Sequence, residues 1–132
     1  MQNSWQLSIK LEKETLDNIE RKCKVVIPLD LKKFLLLNNG SIPVLKSFDT
    51  DSSENEIINN ILDFNINSSE SFQIVHNSIK DYIPVDFLPF ARDGFGNYIC
   101  ILKDNKIIFY NHETQKTSII AKNFQDFIKD LH

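Results

Sequence analysis

The chain is 132 residues long and 42% hydrophobic, with ten phenylalanines among its apolar residues. That length predicts one domain, able to bury roughly two-thirds of its unfolded surface around a core of its own. The formal charge of −3 is unevenly spread: from Lys46 to Asp86 eight acidic residues face two lysines, a local net of −6, which argues against a nucleic-acid-binding face.

Taken in chain order, Leu7, Leu11, Leu16, Ile19 and Cys23 fit an amphipathic helix over about residues 11–23. Its acidic residues Glu12, Glu14 and Asp17 come early and Arg21, Lys22 and Lys24 late, an order that complements the helix dipole. Pro28 opens a second helix, where its missing N–H would have no partner anyway. Leu31, Phe34, Leu35 and Leu37–Asn38 give that helix a core-facing stripe, and Asn39-Gly40 supplies residues that tolerate positive φ at its end. Pro43 to Phe48 reads as a short strand and Asp49–Asn55 as an acidic, turn-rich segment. Ile57-Ile58, Ile61-Leu62 and Phe64 suit a helix or a strand equally, so residues 57–64 stay open. Ser68-Ser69 then precede a helical candidate carrying Glu70, Phe72, Ile74-Val75 and Ile79, which ends before Pro84.

The second half changes character. Phe87–Ala91, Tyr98–Leu102, Ile107–Tyr110 and Thr117–Ala121 are short runs rich in β-branched and aromatic residues. The segments between them, Asp93–Asn97, Asp104-Asn105 and Asn111–Thr114, hold the residues that hairpin turns favour, so an antiparallel meander is expected. Asn123 caps a closing helix with Phe124, Phe127, Ile128 and Leu131 on one side. The architecture predicted is α+β: N-terminal helices and a C-terminal helix packed on an antiparallel β-sheet, all within 1–132 as a single domain.

Few residues invite chemistry. Cys23 and Cys100 are too few for a disulfide framework, and neither has a Cys or His at metal-ligand spacing, so both read as buried free thiols of a reducing compartment. His76, His112 and His132 include no pair at the i, i+4 spacing of a helical zinc site. Gly94-Phe95-Gly96 sits between strands rather than before a helix, so a hairpin turn explains it better than a phosphate cradle, with Asp93 and Asn97 holding the turn. Trp5 is expected to pin the N-terminal segment. No cofactor, metal or catalytic residue is expected. The opening MQNSWQLSIK lacks the basic stretch and apolar run of a signal peptide, and no run approaches a membrane span, so a cytoplasmic protein is expected.

Glu20, Ile27-Pro28, Phe34-Leu35, Asn39-Gly40 and Pro43 fall in the order of the opening signature of the SUKH superfamily, with Ser41 where a second Gly is common. In particular the chain resembles the SMI/KNR-type branch, named for fungal cell-wall assembly regulators. Leu88-Pro89-Phe90-Ala91 followed by Gly94 to Asn97, the strand ending in Asn111-His112-Glu113, and Asn123-Phe124…Phe127 resemble the family's later elements. The resemblance implies a non-enzymatic bacterial immunity protein that binds a cognate polymorphic toxin, with a nuclease as one candidate toxin. The alternative it leaves is a regulatory protein-interaction module without a toxin; an enzyme using Cys100 or His112 is a third class. Under the immunity reading the toxin is basic and meets the acidic residues Asp49, Asp51, Glu54 and Glu56, which imitate a polyanionic substrate.

Overall fold

The described residues, 3–65 and 71–132 of a computed structural model, begin with a two-residue strand, β1 (Trp5–Gln6). Helix α1 (Lys13–Cys23) buries Leu16 and Ile19, and α2 (Leu29–Asn38) buries Leu31 and Leu35. Leu7 does not extend the first helix: it lies outside it at positive φ, 77% exposed. Leu37 is exposed as well, because the stripe defined by Leu31, Phe34 and Leu35 passes through position 38 and leaves 37 to one side.

The connection between the helices shows what Glu20 contributes. One carboxylate oxygen accepts the Ile27 N–H at 2.9 Å, and the other pairs with Lys32 at 2.8 Å. Lys24 turns the chain in the left-handed region and returns its N–H to the Glu20 carbonyl. The acidic residue therefore ties the last turn of α1 to the chain entering α2. Pro28 stands at the N-cap with φ −57°.

Of Asn39-Gly40, only Gly40 takes positive φ, at 67°, and a Cβ there would lie 2.8 Å from the Ile9 side chain. Asn39 is instead a fully buried polar hub: its Oδ1 accepts the Phe64 N–H, and its Nδ2 donates to Asp63 Oδ1 and the Ile9 carbonyl. The expected strand from Pro43 to Phe48 is two strands broken by a bend. β2 (Ile42–Pro43) pairs with β1, and β3 (Ser47–Phe48) pairs with β4 (Glu56–Ile57). Residues 57–64 are extended rather than helical: β4 is followed by β5 (Asn60–Ile61) and a bridge from Asp63 to Ser71. Ser68, Ser69 and Glu70 lie outside the described residues. Helix α3 (Phe72–Ile79) starts at Ser71, whose side chain accepts the Ile74 N–H.

The meander forms as its turns predict: β6 (Leu88–Arg92), β7 (Tyr98–Ile101), β8 (Ile107–Asn111) and β9 (Lys116–Ala121) join β5 in a five-stranded sheet ordered β5-β6-β7-β8-β9, antiparallel throughout. Pro89 is tolerated inside it because the register shifts between Pro89 and Ala91 and β5 reaches only as far as Ala91. Asn123 accepts the Asp126 N–H and starts α4 (Phe124–Asp130). An aromatic chain then runs through the core. Trp5 meets Phe34 edge-on at 4.8 Å, Phe34 meets Phe124, Phe90 touches Phe124 and Phe127, and Phe48 touches Phe127 and Phe109. Trp5 thus pins the N-terminal segment to α2. Among the described residues, no helix is long and apolar enough to cross a membrane.

His76 adds a pH term. It stacks on Phe72 at 5.3 Å, and its Nδ1 has no hydrogen-bond partner among the described residues. Burial, and next the Lys80 ammonium, lower its pKa below the ordinary 6.5. The unfolded chain therefore takes up a proton first, so this part of the stability is present above that value and lost as pH falls through the folded-state pKa. Urea midpoints are expected to fall between about pH 7 and pH 5, and to fall less in His76→Phe.

Candidate partner-binding surface

The acidic segment forms the loop of the β3–β4 hairpin. Asp49 closes it by accepting the Asn55 N–H, and Thr50 bonds the Ser53 carbonyl through its N–H and the Ser53 N–H through Oγ1. The loop lies against β9, the outer strand of the large sheet. There Asp51 donates its N–H to the Ile119 carbonyl at 2.9 Å, and its carboxylate accepts the Ile119 N–H at 3.0 Å. Ser52 and Ser118 hydroxyls bond at 2.7 Å beside them. Asp51 therefore occupies the edge of β9 as a further strand would, which blunts a row of main-chain groups otherwise open to pairing.

Between this loop, β9 and α4 runs an open groove. Ile119, Ile120 and Ala121 form its floor, and Asp49, Asp51, Asp126 and Asp130 stand round it with Lys106 and Lys122. Four carboxylates against two ammonium groups leave the groove acidic, and Lys122 is partly engaged with Asp126 at 3.7 Å. Of the four residues singled out from sequence, Asp49 and Asp51 line this groove. Glu54 is exposed on the hairpin and Glu56 is half-buried in β4, and neither borders it. Asp126 and Asp130 complete the rim; their i, i+4 spacing on the polar side of α4 was visible in the sequence, but not their approach to a loop some 75 residues earlier.

Of the two thiols expected to be buried, Cys23 at the end of α1 is only half-buried. Cys100 is fully buried in β7, and burial pushes its thiol pKa up, away from the thiolate a nucleophile needs. Asp93 is buried under the β6–β7 turn, where Oδ1 accepts the Phe95 and Asn97 N–H groups and Oδ2 accepts from the Asn97 amide. Asn97 Oδ1 in turn accepts from the His112 main chain and lies 2.9 Å from Nδ1 of its ring, which fixes the proton on Nδ1. Two hairpin ends are locked together, with Gly96 at φ 86° under the imidazole.

The sequence profile of the SMI1 / KNR4 family (SUKH-1) matches residues 10–130. The chain belongs to that family. An SPbeta prophage-derived uncharacterized protein, YokK, of Bacillus subtilis (strain 168) is 33% identical over 70 residues, which cover 49% of this chain and 36% of the relative. The chain therefore matches little more than a third of that relative's length. A protein of Pseudomonas syringae pv. tomato, known from its crystal structure, shares the fold with a TM-score of 0.58 over 83% of this chain and 75% of its own, at 18% identity. Glu20 ties α1 to α2, Asn39 anchors the chain beyond α2 to residues 63–64, and Phe90 centres the aromatic core.

Proposed function

We propose that this SUKH-1 chain is a cytoplasmic immunity protein, non-enzymatic, that neutralises a cognate toxin by binding it directly. SUKH proteins bind partner proteins, and the feature that favours a basic toxin here is the groove of four aspartates round an apolar floor. Carboxylates of this kind accelerate and orient the approach of a basic surface, while Ile119 and its neighbours supply apolar contact once it arrives. The prophage origin of the relative YokK fits a gene carried with such a system. A nuclease, whose own substrate is a polyanion, is the toxin class that an acidic groove suits best.

The test neutralises the groove without unmaking it. Asparagine keeps a carbonyl oxygen able to accept the Asn55 and Ile119 N–H groups, so the combined Asp49→Asn, Asp51→Asn, Asp126→Asn and Asp130→Asn variant is expected to stay folded. Its association with the product of the neighbouring toxin gene should slow by about 10- to 100-fold at low salt and lose most of its ionic-strength dependence. Unchanged affinity and salt dependence in stopped-flow binding would remove the groove from the interface.

A further inference from the structure

The loop over β9 is held differently from the rest of the molecule. Between Phe48, which is buried, and Ile58, which is fully buried, residues 49–57 place no apolar side chain in the core. Where the loop meets the sheet, its grip consists of two main-chain bonds at Ile119 and the Ser52–Ser118 hydroxyl pair. The two bonds at Ile119 could be re-formed by the main chain of another extended segment. Because Ile119 spends both main-chain groups on Asp51, it faces away from β8, and the two-residue alternation of an antiparallel strand turns Thr117 to the same side. Asp51 thus covers one position of an edge whose direction, spacing and donor–acceptor order are those of a strand-addition site.

Resting on the reading of the groove given above, we infer that the loop of residues 50–53 is a displaceable cover hinged at Asp49, which stays in place against the Asn55 N–H, and that the basic partner docks by adding an extended segment to β9 in its place. The incoming main chain takes over the N–H and C=O of Ile119 and continues to Thr117. Its alternate basic side chains meet Asp49, Asp126 and Asp130, and the Asp51 carboxylate, released from Ile119, becomes a further partner for them. Charge complementarity selects the occupant: Asp49, Asp126 and Asp130 beside the edge, with Asp51 on the lifted loop, favour a lysine- or arginine-bearing strand over an acidic or neutral one. The two bonds at Ile119 are replaced and new main-chain bonds form at Thr117, against the loss of the Ser52–Ser118 pair, so the exchange stays close to neutral until the side-chain contacts decide it.

The 2.7 Å approach of the Ser52 and Ser118 hydroxyls offers a lock. In a Cys23→Ser background, Ser52→Cys with Ser118→Cys is expected to close a disulfide that fixes the cover on β9, and reduction restores it. The probe is an acetylated, amidated heptapeptide alternating lysine and valine, beside a copy N-methylated at every internal peptide nitrogen. The unmethylated peptide should bind the reduced protein at least about tenfold more tightly than the oxidised one. On binding it should slow hydrogen exchange at Thr117 and keep Ile119 protected, and the methylated copy should fail to do either. Equal binding to the oxidised and reduced forms, or equal binding of the methylated copy, overturns strand addition and leaves the contact as side-chain electrostatics, with the acidic groove intact. No binding of either peptide to any form at low salt overturns the strand addition and the basic-partner reading of the groove together.

Discussion

Phe90→Ala is expected to cost about 4 kcal/mol of folding stability. The ring is fully buried where the register of β6 shifts, and it touches Phe124 at 5.6 Å and Phe127 at 5.7 Å, so it joins the central sheet to the closing helix. Truncation forfeits the transfer energy of a whole aromatic side chain. It also leaves a cavity that neighbours already in edge-to-face contact cannot fill without leaving their rotamers. Domains of this size are stable by only about 5–15 kcal/mol, so the variant should remain folded at room temperature but melt roughly 15 °C lower. Phe95, 80% exposed at the β6–β7 turn, is the matched control: Phe95→Ala is expected to change the urea midpoint by less than about 0.5 kcal/mol equivalent. Equal losses at the two positions would contradict the aromatic core as drawn.

Asn39→Leu should destabilise by about 3 kcal/mol although leucine keeps the same branched outline, and its greater bulk adds crowding at this fully buried site. The substitution strands the buried Phe64 N–H, which now meets Asn39 Oδ1 at 2.8 Å, and takes a donor from Asp63 and another from the Ile9 carbonyl. Asn39→Asp separates the contributions. It keeps an acceptor for Phe64 but sets a second carboxylate against Asp63, so its deficit should shrink as acid protonates one of the pair. Denaturant titrations of both variants at neutral pH and near pH 4 distinguish a hydrogen-bonding hub from a mere volume requirement. Equal deficits for the two variants at both pH values would favour the latter.

These two residues also show what the sequence discloses. Phe90 sits in the apolar run Phe87–Ala91, which predicts a strand from local composition. Asn39 reads locally as a turn residue, and that reading names the wrong property: Gly40 supplies the positive φ, while Asn39 serves partners 25 residues ahead and 30 behind. The helices and the meander are legible because their periodicity and turn chemistry are local. Residues 57–64 were open because a two-residue strand has no period to detect, and its pairing with Arg92 and Ala91 is set by the sheet. The candidate surface was half legible for the same reason. The acidity of Asp49 and Asp51 stands in the sequence, but Asp126 and Asp130 join them only through the packing of α4 beside β9, and no spacing rule connects residue 51 to residue 119.

Growth of a host expressing the proposed toxin, taken as the C-terminal domain of the neighbouring gene's product, with and without the chain, decides between immunity and its absence. The wild-type chain is expected to restore growth and to co-purify with the toxin. The variant with asparagine at positions 49, 51, 126 and 130 should restore it only when strongly over-expressed. A toxic neighbour that kills regardless of the chain, or rescue by the variant at the same expression level as wild type, would contradict respectively the immunity function and the surface assigned to it.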